Sequence, residues 1–245
     1  MSTSRLHRTV LAGTLAATLL ATGGCGLTDK LENQMTSAVN DLEPGKPSVD
    51  TPSPKALLRK SDQALRDATS VRIVASSSLG GNQVGIDVGG DAANTYSEGT
   101  LTFEAGKVRF RVVDGRAWVS GRGDVVGRFS GGVVPGGKWA PAARGEATDL
   151  LRNLTAGTLL SSMLSGDNRP KPGAKITTIV QDGVPAFRLM VVEKKDTRPY
   201  PVVVAADGTW RLLKIGEPTM EAYAEFSDYD AVDEVGVPRR SQLAR

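Results

Sequence analysis

Apolar and polar residues alternate through most of this chain, with glycine breaking the runs at short intervals, and nothing else limits its fold so strongly. Val71, Ile73 and Ala75 alternate with Arg72, Val74 and Ser76, and Val84, Ile86 and Val88 with Gly85, Asp87 and Gly89. Leu101 and Phe103 lead to Ala105-Gly106, after which Val108, Phe110 and Val112 alternate with Lys107, Arg109 and Arg111. A period of two sends successive side chains to opposite faces of a strand. Asp114-Gly115 before the next run is a hairpin signal, because the tight turn needs positive φ at both central positions. Further runs occur at 175–180, 185–192, 200–205, 210–215 and 221–230, the first two joined by Gln181-Asp182-Gly183. Together they predict a half-buried antiparallel sheet. A one-residue slip would bury Arg109, Arg111 and Arg188. The register therefore predicts that Val71, Ile73, Val108, Phe110, Val112, Phe187, Leu189 and Leu213 face inward.

Two stretches carry helical spacing instead. Ser53-Pro54 reads as an N-cap with proline at the first helical position, followed by Leu57, Leu58, Ala64, Leu65 and Ala68. Between Glu146 and Ser165, Leu150, Leu151 and Leu154 are followed by Leu159, Leu160, Met163 and Leu164, and the intervening Thr155-Ala156-Gly157-Thr158 predicts a bend or a split. Only Asp149 and Arg152 carry charge between Glu146 and Asp167. So apolar a segment must cover something greasy, either a plain sheet core or one wall of a cavity. The glycine-rich stretch 121–137 reads as a hairpin tip. Within it, Gly132 and Gly137-Lys138 have the spacing of a phosphate loop. Trp139, however, stands where a magnesium-binding hydroxyl is required, and Pro141 interrupts the helix that should come next.

The start of the chain speaks of export. A short basic segment with Arg5, His7 and Arg8 precedes the apolar run 10–20 and then Ala21-Thr22-Gly23-Gly24-Cys25, the order of a secretory signal peptide over 1–24. Cys25 is the single cysteine of the 245 residues. Its setting resembles the lipobox of bacterial lipoproteins, in which that cysteine is diacylated and becomes the mature N-terminus; Thr22 stands where the family prefers leucine. The resemblance implies a diacylglycerol cysteine at Cys25 and a lipid anchor on the outer face of the cell membrane. Residues 25–54 then read as a lipidated tether. Leu27, Leu31, Met35 and Val39 recur every fourth position, and Pro44, Pro47, Pro52 and Pro54 break up the rest of the segment. The folded domain is expected over 55–240.

Composition excludes whole classes of chemistry. His7 is the single histidine and falls in the leader, so the mature chain cannot build a Ser-His-Asp or Cys-His nucleophile, nor a zinc site of the Cys/His type. Loss of Arg5 and Arg8 with the leader leaves 28 basic against 27 acidic residues, without the concentrated basic face that nucleic acid demands. Glu221, Glu225, Asp228, Asp230, Asp233 and Glu234 read as solvated strand-edge charges, and their spacing lacks the glycine and distant glutamate of a calcium loop. The expectation is a protein that is no enzyme and uses no cofactor or metal.

The second half carries a recognisable order of segments: an Asp-Gly hairpin before Val184-Pro-Ala-Phe-Arg-Leu189, then Val203-Val-Ala-Ala-Asp-Gly208, Trp210-Arg-Leu-Leu-Lys-Ile215 and Ala224-Glu-Phe-Ser-Asp-Tyr-Asp230. With Gly136-Gly-Lys-Trp139 ahead of an apolar helix, this resembles the LppX/LprG-type lipoproteins of actinobacteria. That resemblance implies an α+β fold, a curved antiparallel β-sheet (half-barrel, as in the LolA-type carriers) with helices packed over the concave face. It also implies a hydrophobic cavity between sheet and helices for lipid or lipoglycan acyl chains, and lipid transport toward the outer envelope. Candidate lining residues are Phe110, Val112, Phe187 and Leu189 from the strands, with Leu154, Leu159, Leu160 and Met163 from the helices. Expected partners are those acyl chains, the cytoplasmic membrane through Cys25 and an envelope transporter or export partner. The competing reading is a non-carrier lipoprotein that contacts an envelope protein through its sheet edge or glycine-rich tip.

Overall fold

Two tight turns show how the strands are built. Asp114 and Gly115 have φ of 48° and 71°, and Asp182 and Gly183 have 50° and 82°, so each Asp-Gly pair supplies two left-handed residues and folds its flanking strands into a hairpin. The computed structural model describes residues 47–244 apart from 80–81, 165–167, 194–197 and 221–222. The leader, Cys25, the apolar stripe of the tether and Glu221 lie outside the described residues.

The first meander comprises β1 (Ser70–Leu79), β2 (Asn82–Asp91), β3 (Tyr96–Phe103), β4 (Gly106–Val113) and β5 (Arg116–Gly121), with the short β6 (Ala140–Pro141) against β5. The second comprises β9 (Val184–Glu193), β10 (Tyr200–Ala205), β11 (Leu212–Ile215) and β12 (Tyr223–Ser227). On the outer edge of β9 lie β7 (Asn168–Pro170) and β8 (Thr177–Gln181). The strands join in one antiparallel, curved and open sheet of 12 strands, in the order β6-β5-β4-β3-β2-β1-β12-β11-β10-β9-β7. First and last strand therefore meet in its middle, Ile73 opposite Phe226 and Ala75 opposite Ala224.

One face of this sheet is apolar across its width. Val71, Ile73, Val88, Leu101, Val108, Phe110, Val112, Val119, Phe187, Leu189, Val204 and Leu212 are buried on it, and Arg109, Arg111 and Arg188 point the other way. Among the described residues, four helices cover the concave side: α1 (Pro54–Asp67), α2 (Asp124–Ser130), α3 (Glu146–Asn153) and α4 (Ala156–Leu164). Helix α1 packs against β7 and β11, α4 against β1 and β2, and α2 and α3 against β4 and β5. The α+β architecture expected from the sequence is the one found.

Local sequence explains the helix limits. The Ser53 hydroxyl accepts the Ala56 N–H at 3.3 Å and Pro54 opens α1, which buries Leu57, Ser61 and Leu65. The split between α3 and α4 falls at Leu154-Thr155, where the Thr155 hydroxyl lies 2.7 Å from Asn94 Oδ1 and 2.9 Å from the Arg152 carbonyl. The Ala156 N–H donates to the buried Ser97 hydroxyl at 3.2 Å, which ties the start of α4 to β3. Ahead of α1 the tether is already held, since the Ser48 N–H donates to the Ala206 carbonyl at 2.9 Å.

Two expectations are corrected. The glycine-rich stretch contains α2, whose Val125, Val126 and Phe129 are buried, and the Phe129 ring lies 5.9 Å from that of Phe103. Glycine is needed there only at the ends: Gly131 at φ 73° closes the helix and its N–H returns to the Gly127 carbonyl. Leu213 does not face inward. The register slips between Val203, opposite Lys214, and Val204, opposite Leu212, so Leu213 is the bulged residue, and it turns to the outer face beside Val74 and Glu225.

Candidate functional site

The apolar interior gathers the residues that the sequence singled out. Phe110, Val112, Leu154, Leu160, Phe187 and Leu189 belong to one buried cluster, and Leu159 is a partly buried member packed against it. Met163 lies in α4, but its side chain is outside the described residues. Phe110, Phe187 and Leu189 have 0% of their surface accessible, so no gap as wide as a water molecule adjoins them. Phe110 also stands far from the other two. From β4 to β9 the sheet passes through β3, β2, β1, β12, β11 and β10, seven inter-strand steps of about 4.8 Å and roughly 34 Å of arc. The set marks the two ends of a long apolar floor. Helix α4, with Leu160 buried beneath it, crosses the middle.

Helix α4 comes very close to the turn after β2. A Cβ at Gly157 would sit 2.4 Å from the Ala92 carbonyl oxygen and 2.6 Å from Asn94 Oδ1, so only glycine fits there. At the β9 end, Phe187 stacks on Trp210 with centroids 6.2 Å apart and 19° between planes, and Lys60 of α1 places Nζ 3.7 Å above the Trp210 ring. This clamp between α1 and the floor escaped the sequence reading. Trp210 looks like the start of a strand, whereas its φ of 58° turns it out of the ladder.

The outer face is polar and organised. Arg72 donates to both Asp87 oxygens at 2.9 and 2.8 Å, and Glu98 accepts from Arg109 at 2.7 Å and from Arg111. Glu217 sits between Arg188 and Lys214, each at 3.0 Å. Isolated surface pairs of this kind stabilise by at most about 1 kcal/mol, so their main effect is to fix side-chain positions.

The chain after β12 crosses this face as a strap. Asp230 accepts the Thr69 N–H at 2.7 Å, the Tyr96 hydroxyl donates to the Val232 carbonyl at 3.1 Å, and Arg111 donates to the Gly236 carbonyl at 2.8 Å. Farther on, the Trp139 N–H donates to Gln242 and the Ala244 N–H to Trp139, both at 2.8 Å. Buried Trp139 also holds Arg109 and Arg111 at 5.1 and 4.9 Å from its ring centroid. The Thr69 hydrogen bonds, followed by Arg211 at 3.0 Å, hold the Asp230 carboxyl below the ordinary carboxylate range. Burial raises the Tyr229 phenol, which donates to the Leu212 carbonyl at 2.7 Å.

Three grooves open on the outer face. The first, of about 530 Å³, is lined by Asp87, Thr100, Thr102, Lys107, Arg109, Gly121 and Arg122. The second, of about 360 Å³, lies between Arg72, Asp87, Glu98 and the strap residues Asp228, Val232 and Asp233. The third, of about 460 Å³, lies at the other end, between Asp182, Asp207, Arg211, Leu213 and Glu225. None of the three is lined by a residue of the interior set. Among the described residues no three acidic side chains come together to hold a metal ion, and no helix is long and apolar enough to cross a membrane.

No family model matches this chain, and no curated protein matches it. Among solved structures it is similar to an uncharacterized conserved protein from Thermus thermophilus, with 10% identity and a TM-score of 0.31, covering 79% of this chain and 99% of that one.

Proposed function

We propose that the chain is an exported lipoprotein, anchored through Cys25 to the outer face of the cell membrane, whose domain takes up lipid or lipoglycan acyl chains beneath its helical cover for transfer toward the outer envelope. The observation that carries this reading is α4. Its nine residues hold no charge, and it lies over β1 and β2 at the centre of an apolar floor that spans the sheet. The order of segments in the second half, which resembles that of the LppX/LprG-type lipoproteins, supports the same reading. Phe110, Phe187 and Leu189 are closed over at the two ends of that floor, so an acyl chain enters at its middle, by displacing α4 from β1 and β2. Each buried methylene contributes about 0.8 kcal/mol toward that displacement, so a chain of ordinary length offsets the lost packing.

Native mass spectrometry of the protein purified from its own host tests this directly. The expected result is a bound lipid, absent from a folded Leu160→Trp variant whose indole occupies the space under α4. Protein free of lipid from every preparation would overturn the carrier reading.

A second reading, contact with an envelope protein, is favoured by β8. Thr177–Gln181 pairs on one side with β9, carries no charge and leaves Val180 56% exposed. An uncharged edge of this kind can accept an added strand. Under this reading Val180→Lys abolishes recovery of a partner by crosslinking; unchanged crosslinking would remove it.

A further inference from the structure

The outer face holds a site of different chemistry from the interior. Arg72, Arg109, Arg111, Arg188 and Lys214 are each paired with a carboxylate on that face. The side chains of Lys107 and Arg122 are exposed, and neither has a carboxylate or hydrogen-bond partner among the described residues. Both line the first groove, next to the Val108–Gly121 pair that ends the β4–β5 ladder. Register places Thr102 opposite Lys107 and Thr100 opposite Arg109, so two hydroxyls without a side-chain hydrogen bond share the wall with the cations. The absence of a side chain at Gly136 leaves room for Arg122, since a Cβ there would lie 3.0 Å from its Nε.

The three grooves differ in charge, and the difference decides which ligand the first one takes. Asp87 is the single carboxylate lining the first groove, and Arg72 already engages both of its oxygens. The second groove sets four carboxylates against Arg72 and Arg109, and the third sets four against Arg211. An anion is repelled from both of these and drawn to the first.

We propose that the groove between Lys107 and Arg122 binds a phosphate-bearing anion. A phosphate presents several acceptor oxygens in a compact tetrahedron, matching two unpaired cations flanked by two hydroxyl donors. The volume of about 530 Å³ leaves room beyond one phosphate, for a second phosphate or a glycerol unit. Because the groove lies on the face opposite the helices, this site is independent of acyl-chain uptake and stands whether or not the interior takes lipid.

Isothermal titration calorimetry of the full-length protein tests it with two soluble probes: sodium pyrophosphate, and glycerophosphoglycerol as the head group of an anionic phospholipid. Saturable binding of either, weakening as salt is raised, is expected. The affinity should fall by about tenfold in Lys107→Gln and by about a hundredfold in Lys107→Gln/Arg122→Gln, and stay unchanged in Arg188→Gln. The better probe names the source, free phosphate or lipid head group. Both substituted side chains are exposed, so the variants should melt as the parent does. No saturable binding of either probe at millimolar concentration overturns the proposal, as does equal binding by the double variant.

Discussion

Val232 rests on Gly89: a Cβ added to that glycine would lie 3.1 Å from Val232 Cγ1. The contact seats the strap on β2, and the Val232 N–H and carbonyl are held on either side, by the Ser70 hydroxyl at 3.2 Å and the Tyr96 hydroxyl at 3.1 Å. Gly89→Leu puts a branched side chain where Val232 lies, and the expected result is a lifted strap on an intact sheet. Hydrogen exchange at Val232 should quicken and proteolysis after Tyr229 should begin, at a cost of about 1–3 kcal/mol in stability. Exchange as slow as in the parent would show that the strap is held elsewhere.

Gly157 is the tightest point under the helical cover. Gly157→Ala drives a methyl into the Ala92 carbonyl and Asn94, so α4 must shift. Chemical denaturation should report a loss of about 1–3 kcal/mol, although alanine is the better helix former by about 1 kcal/mol. A stabilised variant would place the turn after β2 farther from α4 than described.

Asp230 gives the acid side of stability a specific contributor. Its folded pKa lies below the ordinary carboxylate value, so its stabilisation is present above about pH 4 and is lost as pH falls through the folded value. Asp230→Asn keeps an acceptor for Thr69 and tolerates the φ of 59° at this position. The variant should be less stable than the parent at neutral pH, and the two should converge below about pH 4. A constant gap at every pH would assign the effect to geometry alone.

Cys25→Ala tests the anchor. Two acyl chains hold a protein stably at a bilayer where one is marginal, so the variant should leave the membrane fraction. Its N-terminal peptide should also lack the lipid mass found in the parent. Identical fractionation and an identical peptide mass would rule the anchor out.

Much of the sheet was legible because its code is local. Alternation from Val71 to Ala75 and from Val108 to Val112 requires one buried face, and Asp114-Gly115 and Asp182-Gly183 require left-handed turns. Leu213 was misread because a bulge inverts the alternation, and the slip at Val203 and Val204 has no signature within β11 itself. Helix α2 hid among glycines: Val125, Val126 and Phe129 are too few to establish a period, and a burial partner such as Phe103 is remote in sequence. The first groove was invisible for a related reason. Lys107 and Arg122 look like any solvated cations until the fold shows that their neighbours are already paired.

The meeting of β1 with β12 sets an order of events for a chain made N-terminus first. The β1–β5 meander pairs through nearest neighbours in sequence, so its ladders need nothing that comes later. One side of β1, from Arg72 to Ser76, has its backbone groups matched only when Tyr223–Ser227 arrives. Until then the growing chain carries a naked sheet margin, open to any stray extended peptide. Truncation just before Tyr223 would leave every strand of the first meander intact and that margin permanently bare, turning a soluble intermediate into a seed for aggregation.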